Sequence, residues 1–183
     1  MKRFVVPSVF LGLLCLPAVP AHAQEPGQFG AVMALPASVG FIWHASDRIA
    51  VRPEISFGFS STESETPVGD TEFDSSSVGI AASVLFYTGG TDTVRTYLSP
   101  RFEYSRMSFA DDDDDESDGA VSLSGSFGAQ YNPVPRFSVF GEVGIEYGRS
   151  DSSFGSGVAA FETRSSAIGT RSAVGVILYF GGN

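Results

Sequence analysis

From residue 49 to residue 59 the chain reads IAVRPEISFGF, and odd and even positions differ in kind. Ile49, Val51, Pro53, Ile55, Phe57 and Phe59 share one parity; Ala50, Arg52, Glu54, Ser56 and Gly58 share the other. A strand turns successive side chains to opposite faces, so this period of two predicts a β-strand with one greasy face and one small or charged face. Similar runs recur over 76–87, 94–109, 120–131, 136–149 and 164–180. Val78, Ile80, Ala82, Val84 and Phe86 oppose Ser77, Gly79, Ala81 and Ser83; Leu98, Pro100, Phe102 and Tyr104 oppose Ser99, Arg101, Glu103 and Ser105. Val121, Leu123, Phe127 and Tyr131 oppose Ser122, Ser124, Ser126 and Gln130, and Phe137, Val139, Val143, Ile145 and Tyr147 oppose Ser138, Glu142, Gly144 and Glu146. In the last run Ile168, Val174, Val176, Leu178 and Phe180 oppose Gly169, Arg171, Ala173 and Gly175.

The connections alternate too. Residues 46–48, 88–93 and 132–135 make short turns, whereas 61–75, 111–119 and 150–163 make long loops, so short turns gather at one rim and long loops at the other. Keeping both chain ends at the short-turn rim requires two strands before Ser46, at 28–35 and 39–45 with a break at Pro36. The prediction is therefore an all-β protein, a closed antiparallel eight-stranded up-and-down barrel, notched at this short first hairpin. The rival is one long first strand, giving seven.

Alternation also fits a soluble barrel turned the other way, apolar inside. Composition separates the two. A water-facing exterior carries many Lys and Glu side chains, but here the polar face is mostly Gly, Ser and Ala, and Lys2 is the sole lysine. Small residues suit the narrow lumen of an eight-stranded barrel, and a closed sheet satisfies every backbone group in hydrocarbon. Trp43, Phe86, Tyr131, Phe137 and Phe180 toward the short turns, with Phe59, Tyr104 and Tyr147 toward the long loops, fit two interfacial girdles.

The N-terminus supports export. Lys2 and Arg3 precede an apolar stretch from Phe4 to Leu16, and Ala21-His22-Ala23 forms a small-residue cleavage site, so 1–23 reads as a signal peptide and 24–183 as the barrel domain. The apolar stretch is too short for a membrane-spanning helix. Cys15, the one cysteine, lies within it after Leu14, which argues against a lipid anchor and leaves a mature chain without thiols. That mature chain has nine Arg and no Lys against 21 acids, a formal charge of −12, which excludes nucleic acid as a natural partner.

Arg52, Glu54, Arg101, Glu103, Glu142, Glu146 and Arg171 all have lumen parity. Charges withdrawn from bulk water persist when paired, so these seven predict an interior ion-pair cluster that plugs the barrel rather than the selectivity ring of a small pore. His44-Ala45-Ser46 has the His-x-Ser spacing that base-assisted nucleophilic catalysis needs, but it borders a short turn, where Ser46-Asp47 is turn chemistry. No catalytic residue and no cofactor is expected. The run DDDDDESD carries Asp111, Asp112, Asp113, Asp114, Asp115, Glu116 and Asp118. It lacks the spaced ligands and turning glycine of a calcium loop, so it predicts a solvated loop that could hold a divalent cation only weakly.

On these strands, and on the C-terminal AVGVILYF with Val174, Val176, Leu178 and the aromatic Phe180, the chain resembles the small OmpA/OmpX-type outer-membrane barrels. Gly181, Gly182 and Asn183 follow the aromatic that ends such strands. The resemblance implies a bacterial outer-membrane location and contact with outer-membrane lipid and lipopolysaccharide. It further implies recognition of the last strand by the outer-membrane assembly machinery, and a non-enzymatic role in surface interaction or envelope stability. A lipid A deacylase-like enzyme is the alternative.

Overall fold

The computed structural model describes residues 26–66, 69–91, 93–110, 117–154 and 161–180. The predicted signal peptide, residues 111–116 of the acidic run and residues 181–183 lie outside them. Eight strands follow one another: β1 Phe29–Leu35, β2 Ser38–His44, β3 Ile49–Thr66, β4 Gly69–Gly90, β5 Val94–Ala110, β6 Ser117–Val134, β7 Phe137–Phe154 and β8 Phe161–Phe180. Each pairs antiparallel with the next, and β8 returns to β1 from Leu35↔Val174 to Phe29↔Phe180, closing the ring. The first hairpin is thus two strands of seven residues each, and the seven-strand alternative falls.

The barrel has its greasy side out. Ile55, Phe57, Ile80, Phe102, Leu123, Val143, Ile145 and Leu178 are exposed, while their polar-parity neighbours Arg52, Glu54, Ser83, Arg101, Ser124 and Glu142 are buried. Trp43, Phe86, Tyr131 and Phe180 ring the short-turn end, and Phe59, Tyr104 and Tyr147 the other.

Within the predicted long loops, the described residues are strand. β3 and β4 stay paired out to Thr66↔Gly69, and β7 and β8 out to Phe154↔Phe161. TRSSA, residues 163–167, lacks an apolar face because both faces of this extension meet water. The hydrophobic alternation therefore ends at the aromatic girdle, while the backbone ladder, which needs no apolar side chain, continues. At the short-turn end β4 reaches Gly90 and β6 reaches Val134, across irregular register at Tyr87/Gly89 and Tyr131/Val134, which shortens the turns predicted at 88–93 and 132–135.

Pro36, at the tip of the first hairpin, and Pro53 mark where the wall thins. Pro53 offers no N–H to β2, and the β2–β3 ladder passes from Gly40↔Glu54 to Trp43↔Val51 with Phe41 and Ile42 unbridged to β3. Gly40 packs so tightly on the Pro53 carbonyl that a Cβ there would collide with it.

Candidate functional site in the barrel interior

Parity delivers the inward residues; ring closure stacks them into layers. In the middle layer, neighbouring strands and opposite walls bring six of the seven predicted charges together. Arg52 lies between Glu54 on its own strand, with Nε 3.2 Å from Oε2, and Glu142 on β7, with Nη2 2.7 Å from Oε1. Arg101 on β5 bonds Glu54 through Nη1 and Glu103 through Nη2, the latter at 3.1 Å. Arg171 on β8 donates to the second oxygen of Glu142 at 3.1 Å. The result is an alternating chain, Glu103–Arg101–Glu54–Arg52–Glu142–Arg171, with three positive and three negative groups and no formal net charge.

Neutral donors complete it. Ser38 donates to Glu54 at 3.0 Å, Ser56 to Glu103 at 3.1 Å and the Tyr97 hydroxyl to Glu142 at 3.0 Å. The Arg52 guanidinium also lies over the Phe140 ring, 4.9 Å from its centroid. Buried charges are tolerated when this many partners replace water. Glu146 is the exception: among the described residues it has no ion pair, and it faces a vestibule of about 300 Å³ with Glu103, Ser105, Ser122 and Ser165.

Toward the short turns lies a second layer that the sequence did not single out. Its centre is Gln130, fully buried. The Gln130 amide carbonyl accepts from the Tyr87 hydroxyl at 2.9 Å, and its NH₂ reaches Asn132 at 2.8 Å and Ser138 and Tyr179 at 3.0 Å each. His44 meets the Tyr179 hydroxyl at 3.3 Å and stacks on Tyr87, and Arg95 covers the outer side of the Tyr87 ring at 3.9 Å. Tyr97 links the layers, its ring fitting where Gly128 of β6 has no Cβ. Tyr87, Tyr97 and Tyr179 share parity with the inward small residues of their strands, and that was the available signal. Residue type alone does not reveal it, because a tyrosine suits the outer skin as well as the lumen.

The His-x-Ser spacing does not form a catalytic pair. His44 turns into the barrel, while Ser46 Oγ accepts the amides of Arg48 at 3.2 Å and Ile49 at 3.1 Å, closing the turn. Of the acidic run, Asp111, Asp112, Asp113, Asp114, Asp115 and Glu116 lie outside the described residues, and Asp118 is described only as backbone of β6. Among the described residues no three His, Cys, Asp or Glu side chains are placed to hold a metal ion.

A closed ring of eight antiparallel strands with an apolar skin and a hydrogen-bonded polar filling defines the class: a small, inside-out β-barrel of the membrane type. Among solved structures it is similar to a major outer membrane protein from Thermus thermophilus, with 13% identity and a TM-score of 0.48 over 84% of this chain and 98% of that one. It is also similar to Ail, the attachment invasion locus protein of Yersinia pestis (16%, 0.42, 84% and 94%), and to CarO of Acinetobacter baumannii (12%, 0.44, 86% and 99%). No protein-family profile matches the sequence, and no curated protein does. At these identities and scores the likeness is one of shape, and function is read from the chain's own side chains.

Proposed function

We propose that this protein is an integral outer-membrane barrel of a diderm bacterium, non-enzymatic, exported by a signal peptide removed after Ala23. Its filled lumen serves as a rigid post for the hairpins that stand beyond the upper girdle. The observation that carries this reading is the radial order of side chains: hydrocarbon outside, a neutralised ion-pair chain inside. Such an order is costly in water, where the skin would be exposed, and favourable in a bilayer.

Arg106, Arg149 and Arg164 support contact with lipopolysaccharide. All three have outward parity beyond Tyr104, Tyr147 and Ile168, at the height where phosphates of an outer leaflet lie. Asp151, between two of them, bonds Arg164 at 2.8 Å. Outward Val174, Val176, Leu178 and Phe180 give the last strand the apolar pattern suited to assembly at the outer membrane.

Cell fractionation combined with gel mobility before and after heating tests the proposal. The mature chain should begin at Gln24, partition with outer membranes and run as a compact band until boiled. Recovery in the soluble periplasm would overturn it. Steady single-channel currents in a planar bilayer would overturn the filled lumen.

A further inference from the structure

The first hairpin leaves part of the barrel wall unbuilt. β1 and β2 end at Leu35 and Ser38, level with Val174 of β8 and Ser56 of β3. Beyond that level β3 runs on to Thr66 and β8 begins at Phe161, each paired on its far side only. The last contact across the hairpin tip is the Phe57 amide to the Ala37 carbonyl, 3.1 Å. Among the described residues, no bridge or backbone hydrogen bond joins β3 after Phe57, or β8 from Thr170 to Ser172, to another strand on these facing edges. Two absent strands leave these edges about 14 Å apart at the tip, three inter-strand spacings.

Part of this notch lies inside the apolar belt. The β7–β8 register sets Ser172 beside Val143, Thr170 beside Ile145 and Ile168 beside Tyr147. Val143 and Ile145 are among the most exposed apolar residues of the skin and lie below the Tyr147 girdle. Outward-facing Ser172 and Thr170 therefore stand at hydrocarbon depth, next to unpaired backbone donors and acceptors. Lipid tails cannot satisfy such groups, and each left bare in hydrocarbon costs several kcal/mol. Something polar must reach them.

Directly below the notch the skin has a groove of about 500 Å³ lined mainly by apolar side chains, including Ala31, Met33, Val39, Phe41, Ile55 and Leu178. It follows the interruption that Pro53 makes in the β2–β3 ladder. The apolar groove lies on one side of the hairpin tip and the polar notch on the other, and the two together have the polarity of an amphiphile. We infer that groove and notch together bind one glycerophospholipid, its acyl chain along β1–β3 and its hydrogen-bonding headgroup between the edges of β3 and β8. The site rests on the membrane reading above, because only in a bilayer is hydrocarbon the medium that fills the groove.

Refolded mature protein in nonionic detergent, titrated with dimyristoylphosphatidylglycerol and followed by native mass spectrometry, tests it. The wild type should retain one lipid per barrel. Ala31→Phe, which fills the groove, should weaken retention at least tenfold, and so should Thr170→Val with Ser172→Val, which keeps the groove and removes the hydroxyls. Leu123→Phe, on the skin of β6, should retain lipid as the wild type does. A heat-shifted band certifies that each variant is folded. No one-to-one adduct, equal retention by Ala31→Phe, or loss of retention by Leu123→Phe as well would overturn the site. So would a dimer whose 58–66 and 163–173 amides are protected from exchange, which assigns the edges to strand pairing with a second copy. A folded, outer-membrane-fractionated barrel without the adduct sinks this site alone, whereas failure to fractionate sinks the membrane reading.

Discussion

The two interior layers occupy neighbouring heights of one lumen and solve the same problem with different chemistry. The charged layer alternates three guanidinium groups with three carboxylates. The layer toward the short turns joins Tyr87, Gln130, Asn132, Ser138, Tyr179 and His44 by hydrogen bonds between side chains. Both satisfy most of their buried polar atoms, Arg52 Nη1 in the first and His44 Nδ1 in the second having no hydrogen-bond partner among the described residues. They differ in what a broken link leaves behind: an uncompensated charge in one, an unpaired dipole in the other. Since desolvation costs far more for a charge, the charged layer should be the brittle one.

The largest expected effect follows from Glu142, which holds Arg52, Arg171 and the Tyr97 hydroxyl. Glu142→Ala should lower stability by about 3–5 kcal/mol, the usual result of deleting one member of a buried ion pair. Urea unfolding in lipid vesicles reads this, and a midpoint equal to wild type would mean that the layer is hydrated rather than sealed.

In the neutral layer Gln130→Ala should cost less, about 1–3 kcal/mol, although four side chains lose a partner. The same unfolding assay ranks the two, and a larger loss for Gln130→Ala would reverse the comparison. Tyr97→Phe sharpens it further. With its ring in place and only the bond to Glu142 lost, it should cost about 1.5 kcal/mol. Combined with Glu142→Ala it should add almost nothing, since the partner is already gone.

The smallest effect belongs to the strand extensions beyond the aromatic girdle. A hydrogen bond from Arg164, aided by the charges of Arg164 and Arg149, holds the Asp151 carboxyl below the usual carboxylate range. A depressed carboxylate contributes above its unfolded value and loses that contribution as pH falls through the depressed one. Asp151 is fully exposed, so water screens the pairing. Asp151→Asn should leave the unfolding midpoint unchanged at pH 7, and a clear shift would show that the protruding hairpin is coupled to the barrel.

What was legible in the sequence followed from local geometry. Alternation along 49–59 and its counterparts named the strands and placed Arg52, Glu54, Arg101, Glu103, Glu142 and Arg171 on the lumen side, while the short first hairpin followed from keeping both chain ends at the short-turn rim, with a break at Pro36. Period two is a property of each strand alone, and in a barrel it needs no knowledge of partners. The protruding strands escaped because water on both faces removes the pattern while leaving the ladder intact. The Tyr87–Gln130–Tyr179 layer escaped because a tyrosine suits either the girdle or the lumen, and only its parity separates the two.

Pairing is another matter. Arg52 and Glu142 stand 90 positions apart and meet because closure of β8 on β1 sets the height of every strand relative to those across the lumen. The same closure leaves Glu146, of the same parity as Glu142, facing the vestibule. It also decides that Ser172 and Thr170, unremarkable in a serine-rich stretch, stand beside the exposed apolar Val143 and Ile145. A strand's own sequence sets which way each side chain points; the register of the closed ring, fixed jointly by all eight strands, sets what it meets there.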